Sequence, residues 1–236
     1  MWSINVDTIE SVARRRFQLQ DKAIEVFFST GRSHLLTFPI TSNRETVISW
    51  LTTARPSLAL TTQSLAAITK LWQQGGLTNF QYLTTINSLA GRTTNDLMQY
   101  PIFPWILADY TSDHLDLTAV NSYRDLRKPV AVQHEESTKK YQETYQMLQQ
   151  EGAAPYHYAS HFSNTGIVLH LLVRLPPFTQ EFIKFQDGNF DLADRSFHSI
   201  STSWSMASRV SSSDVKELIP ETVSYTHLTL PTNREV

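Results

Sequence analysis

His157 and His161 stand four residues apart, a spacing that on a helix sets two imidazoles on one face for a metal ion, with His170 and His134 as candidate third ligands. The stretch from Pro155 to His161 shows no helical apolar stripe and no Glu in the H-E-x-x-H position, and the chain has no Cys. These histidines are therefore read as structural, with no metal or other cofactor implied. Ser160 with His161, or Ser196 with His198 and Asp194, offer a nucleophile and a base. Sequence neighbours seldom point at each other, and neither serine sits in a Gly-x-Ser-x-Gly elbow, so a hydrolase stands only as the competing interpretation. The acidic pairs Asp113/Asp116 and Asp191/Asp194 could flank a sugar, but helix caps and surface positions account for such residues more simply. No glycine loop of the phosphate-cradling kind is present.

Arg14, Arg15 and Arg16 could meet a phosphate or a phosphoinositide headgroup, which would make the chain a lipid-binding module. On a strand only alternate arginines share a face, so the expectation is an exposed edge decorated with charge. Asn95, Asp96, Asp109 and Arg174 lie beside apolar runs. Polar groups in such surroundings are paired to one another or line a binding groove.

The elements that must position these residues begin with a β region. Apolar and polar residues alternate over 16–20, then at Ile24, Val26 and Phe28, then at Leu36, Phe38 and Ile40. Asp21-Lys22 and Ser29 to Arg32 sit between these runs as turn signals, predicting an antiparallel meander with one wet face. Ser42 and Glu45 have capping-box spacing ahead of a stripe of Val47, Ile48 and Leu51, which Pro56 stops. A Ser/Thr/Leu linker over 55–64 follows, and the period then turns helical. Leu65, Ile68 and Leu71/Trp72 predict one helix ended by Gly75-Gly76; Thr78 and Gln81 cap a second that Gly91 ends.

Further helices are predicted around Tyr141, Tyr145 and Leu148, around Phe178, Phe182 and Phe185, and around Phe197, Ile200, Trp204 and Ala207, the last with Asp191 and Asp194 near its start. The run from Gly166 to Leu175 predicts a short helix buried on most sides. Pro101 and Pro104 bar regular structure from the apolar run Tyr100 to Tyr110, which is expected as extended chain buried in a core.

Composition limits the partners. The 236 residues carry 20 Lys and Arg against 22 Asp and Glu, so nothing general draws the chain to nucleic acid or an anionic membrane. An apolar content of 41% can fill a core, and no apolar run approaches the ~20 residues that span a bilayer. The absence of Cys excludes a disulfide framework and agrees with a cytoplasmic setting.

The motif Asn79-Phe80-Gln81-Tyr82-Leu83, continuing through Ala90 to Tyr110, resembles the signature of BEACH domains. Tyr123-Arg124-Asp125-Leu126, Lys128-Pro129, Tyr156-His157-Tyr158, Leu172-Val173-Arg174, Asp194-Arg195 and Asp214 to Glu221 extend the likeness over about two thirds of the chain. Lys128 to Gln133 and Ser163 to His170 are similar to the branch of lysosomal trafficking regulators. Arg16-Phe17-Gln18-Leu19 and Ala23 to Phe27 resemble the second half of the pleckstrin-homology-like domain that precedes BEACH.

The resemblance implies an α+β protein: a partial PH-like antiparallel unit with its helix over 1–54, the linker 55–64, and a mostly helical BEACH region over 65–222 with irregular extended core segments. Residues 223–236 depart from the family and are expected to be a foreign tail, which would make the chain a fragment with some apolar faces, such as Phe178/Phe182/Phe185, deprived of partners. The implied work is that of a non-enzymatic scaffold in vesicle and lysosome traffic, in proteins that usually carry WD repeats further on. Its partners would be other trafficking proteins docking at a groove between the PH-like and BEACH domains, with no nucleic acid and no transmembrane segment. The implied localisation is cytoplasmic and leaves peripheral contact with lysosomal or endosomal membranes open. Asn95, Asp109, Arg174, Asp194 and Arg195 are the polar residues assigned to that groove or to the core.

Overall fold

A computed structural model describes residues 4–60, 64–156, 164–190, 196–210 and 214–222. The chain divides into two compact units, Met1–Pro101 and Ile102–Val236.

The first unit is built on a sheet of order β3-β2-β1-β4. Strands β1 (Ile9–Phe17), β2 (Gln20–Phe28) and β3 (Ser33–Thr37) form the antiparallel meander. The β1–β2 turn is not at Asp21-Lys22, as the polar pair suggested, but at Gln18 and Leu19, both with positive φ. Two left-handed residues give a tight hairpin whose twist matches its strands, and the exposed side chains of this turn accept the local strain. Helix α1 (Thr41–Ala54) packs on the sheet through Ile48 and Leu51, which join Ile9, Val12, Ile24, Val26 and Leu58 in one core. The expected capping box is absent: Ile40 occupies the N-cap without a side-chain bond, and Glu45 is drawn off by Arg14 and Arg44. In the expected linker, β4 (Ala59–Leu60) pairs in parallel with β1, which makes β1 an interior strand.

The opposite face of the sheet is not wet. Arg15 and Glu25 are buried there. Helices α2 (Leu65–Gln73) and α3 (Asn79–Leu89) follow, α3 beginning at the predicted capping box of Thr78 and Gln81. Helix α2 ends where Gly75 takes φ +77, a conformation that strains any residue with a side chain, and where Gly76 N–H returns to the Leu71 carbonyl at 2.9 Å, so close that a Cβ at Gly76 would meet Leu71.

The second unit is organised around the proline-bearing run, which is extended as expected. Trp105 and Phe103 are fully buried; Phe103 exchanges backbone hydrogen bonds with Leu218, and Leu107 bridges Tyr123. Trp105 lies against Tyr110 and Trp204 at ring separations of 5.7 and 5.4 Å. The unit also holds α4 (Glu135–Gln150), α5 (Asn164–Leu171), α6 (Phe178–Phe185) and α7 (Ile200–Ser205), the last supplying Trp204. Helix α5 is buried on most sides, and Phe182 of α6 is buried against Phe190 while Phe185 stays half exposed. Helix α7 starts later than expected, with Ser199 as its cap, and passes into a π turn over Met206–Val210. Asp191 and Asp194 lie outside the described residues. No described helix is long and apolar enough to cross a membrane.

Candidate functional site

The most concentrated polar arrangement of the first unit sits on the sheet face away from α1. The register places Ala13 opposite Glu25 and Arg15 opposite Ala23, so Arg15 and Glu25 are diagonal neighbours on one face of adjacent strands. Arg15 Nε donates to Glu25 Oε2 at 2.8 Å. The remaining guanidinium nitrogens reach α3, one donating to the Ser88 carbonyl at 3.0 Å and the other to Ser88 Oγ at 2.8 Å. Glu25 Oε1 accepts from Ser33 Oγ, Thr93 Oγ1 and Asn95 Nδ2 at 2.8, 2.7 and 3.0 Å. Both charges are thus paired and hydrogen-bonded, the condition for tolerating ions in a dry setting.

Beside this network runs a cleft of about 140 Å³ with Phe27, Thr84, Arg92 and Thr94 on its walls. That is below the roughly 300 Å³ of sites enclosing small organic ligands, and it suits a single inserted side chain.

The Arg triplet forms no common basic patch. Arg14 donates to Glu45 through two nitrogens, Arg15 points into the network, and β1 is flanked on both sides instead of being a charged edge. Glu45, gripped first by Arg14 and then by Arg44, is held down to about 2.

These two strands and the helix opposite them are matched by different family models. The family model described as Beige/BEACH domain matches residues 70–235, and that described as PH domain associated with Beige/BEACH matches residues 1–52. The chain belongs to the BEACH family. It is 48% identical over 233 residues to the lysosomal-trafficking regulator of Homo sapiens and 44% identical over 230 residues to that of Drosophila melanogaster, each covering 93% of this chain and 6% of the relative. The WD repeat- and FYVE domain-containing protein 4 of Mus musculus is 43% identical over 228 residues, covering 90% of this chain and 7% of the relative. The chain thus spans only a small part of the length of these curated relatives.

In this BEACH-family chain, Arg15, Glu25 and Ser33 belong to the PH-matched segment, and Ser88, Thr93 and Asn95 to the BEACH-matched one. Of the residues singled out by sequence, Asn95 enters this network, with its amide on Glu25 and Ser33. Asp109 and Arg174 lie in the second unit. Asp109 accepts from the Thr111 and Ser112 N–H groups, and these donors with the Ser112 side chain hold its carboxyl below the usual range. Arg174 is exposed, its Nε donating to the Phe197 carbonyl at 2.7 Å. Asp194 and Arg195 lie outside the described residues.

Sequence reasoning missed Arg15 and Glu25 as a pair. A usable signal was present, since Ala13/Arg15/Phe17 and Ala23/Glu25/Phe27 set one opposite charge on each of two alternating, otherwise apolar faces.

His157, His161 and Ser160 lie outside the described residues. His170 is buried edge-on to Phe197, and His134, lowered by burial and by Arg209, lies beside that arginine. His198 Nδ1 is 3.0 Å from the Ser196 backbone carbonyl and not placed on its hydroxyl. No group of three metal-ligating side chains occurs among the described residues.

Proposed function

We propose that this chain works as a docking scaffold of intracellular membrane traffic, without catalysis, and that a partner protein inserts a side chain into the cleft beside Arg15 and Glu25. The observation that carries this is the network itself. Its six side chains are drawn from the PH-matched and BEACH-matched segments, so the two segments shape one cleft wall in a fixed geometry. Rigid walls around a small, partly apolar cleft suit an anchoring side chain, the usual centre of a protein interface. The trafficking role is supported by relatives whose name is lysosomal-trafficking regulator. A cytoplasmic setting with peripheral contact to lysosomal or endosomal membranes is part of the same proposal.

Asn95 belongs to this site. Asp109, Arg174, Asp194 and Arg195 are proposed as further polar contacts of the same scaffold. The test is proximity labelling by the full-length protein in cells. Thr84→Arg and Thr94→Arg, at exposed cleft positions, are expected to deplete specific trafficking proteins about tenfold or more at unchanged protein abundance. An unchanged set of labelled proteins would rule the cleft out.

A further inference from the structure

Residues 109–121 form a surface loop whose ends are tied. Ala108 N–H donates to the Ser122 carbonyl and Arg124 N–H to the Ile106 carbonyl, both at 2.9 Å, with Leu107 bridging Tyr123 between them. The loop is also braced from inside. Asp116 Oδ1 accepts from Thr118 N–H and Oγ1 at 2.8 and 2.7 Å, Ser122 Oγ donates to the Asp116 carbonyl at 2.6 Å, and the Tyr123 hydroxyl donates to the Leu117 carbonyl at 2.8 Å. Compact, internally bonded loops of this length often carry function.

Part of its apolar surface is presented outward, while Tyr110 turns inward against Trp105 and Trp204. Val120 is 88% exposed, Leu117 59% and Tyr123 40%, while Ser122 is buried. A braced loop has no entropic need to expose such groups, and a cluster of them marks a contact surface. The charge of this surface has one sign. From Trp105 to Tyr123 the chain carries Asp109, Asp113 and Asp116 and neither Lys nor Arg, with His114 its one basic side chain. The next base, Arg124, is buried on Glu217 at 2.7 Å, and Arg127 is paired with Asp125. An anionic lipid surface or a nucleic acid would be repelled. A polypeptide carrying basic side chains among apolar ones satisfies both features at once.

We infer that this loop docks a Lys/Arg-rich, apolar-studded segment of a partner protein, with Leu117, Val120 and Tyr123 taking its apolar side chains and Asp113 and its neighbours its cations. This surface lies in the second unit and does not depend on the cleft beside Arg15. The test places a photo-crosslinking p-benzoylphenylalanine at position 120 of the full-length protein in cells and identifies the linked peptides by mass spectrometry. The expected result is linkage to net-positive segments of another polypeptide, falling about tenfold in Asp113→Lys and in Leu117→Asp. Both changes are at exposed positions, and labelling through the cleft should be unaffected by them. Linkage to lipid, to the protein's own chain or to neutral or acidic segments, no linkage at all, or linkage indifferent to Asp113→Lys would each overturn the inference.

Discussion

Arg15 and Glu25 form an ion pair 2.8 Å apart, with both side chains only 4% exposed, on the sheet face away from the main apolar core of the first unit. Burial of a pair like this adds little net stability, because desolvation offsets the attraction. Its value lies in fixing which groups meet: a carboxylate with three neutral donors and one cation accepts few alternative arrangements.

Removing one member should therefore cost far more than removing both. Arg15→Met leaves Glu25 charged and buried, and is expected to destabilise the chain by about 3–5 kcal/mol, whereas Arg15→Met with Glu25→Met should recover most of that loss. Urea denaturation checks this through a midpoint that falls at constant slope for the single variant and returns for the double one.

Acid should loosen the contact between β1 and α1. The Glu45 carboxyl is held at about 2 against an ordinary 4.5, chiefly by the hydrogen bond from Arg14. A carboxyl lowered in the folded state contributes stability above pH 4.5, and that contribution is lost as pH falls from 4.5 toward about 2. Asp21, lowered by Arg44, acts in the same direction. Glu45 is well exposed, so solvent screening keeps the effect small. Thermal melts of Glu45→Gln across pH 2 to 6 should show a shallower acid decline than the unaltered chain; parallel profiles would contradict the assignment.

What could be read in the sequence follows from the range of the forces involved. The strand period at Ile24, Val26 and Phe28, the Thr78/Gln81 capping box and the proline-barred run through Trp105 are set by residues within a few positions of each other and appear as expected, whereas the alternation over 16–20 runs across the β1–β2 turn. The Gln18-Leu19 turn was misplaced because neither residue favours positive φ, and the geometry of the hairpin overrides that preference. The wet face was wrong for a different reason. Its cover comes from Ser88 and Thr93, 73 and 68 residues away from their partners, and no local pattern in β1 or β2 specifies that distance. Asn95 was found through a family motif, while its acceptor Glu25 was passed over as an ordinary strand charge.

The start of α3 offers a local check. Thr78 Oγ1 accepts from Gln81 N–H at 3.2 Å and Gln81 Oε1 accepts from Thr78 N–H at 2.9 Å. Thr78→Ala is expected to cost about 1 kcal/mol. Thr78→Ser, which keeps the oxygen, should cost less, and calorimetry that ranks the two alike would remove the cap from the account.

Trp105 tests whether the irregular core of the second unit is held by polar direction as well as by apolar filling. Its indole Nε1 donates to the Lys216 carbonyl at 2.9 Å, and its backbone N–H donates to Glu217 Oε2 at 3.1 Å, the carboxylate that also receives Arg124. Trp105→Ala opens a large cavity and is expected to cost about 3–5 kcal/mol. Trp105→Phe retains much of the apolar volume but takes the indole donor away from the Lys216 carbonyl, a loss of about 1 kcal/mol. An extended chain without a sheet ladder depends on such side-chain bonds to satisfy its backbone. Hydrogen exchange should therefore show faster opening around Phe103 and Leu218, which bond each other across this segment, in Trp105→Phe as well as in Trp105→Ala. Protection unchanged in the Phe variant would mean that volume alone secures the run.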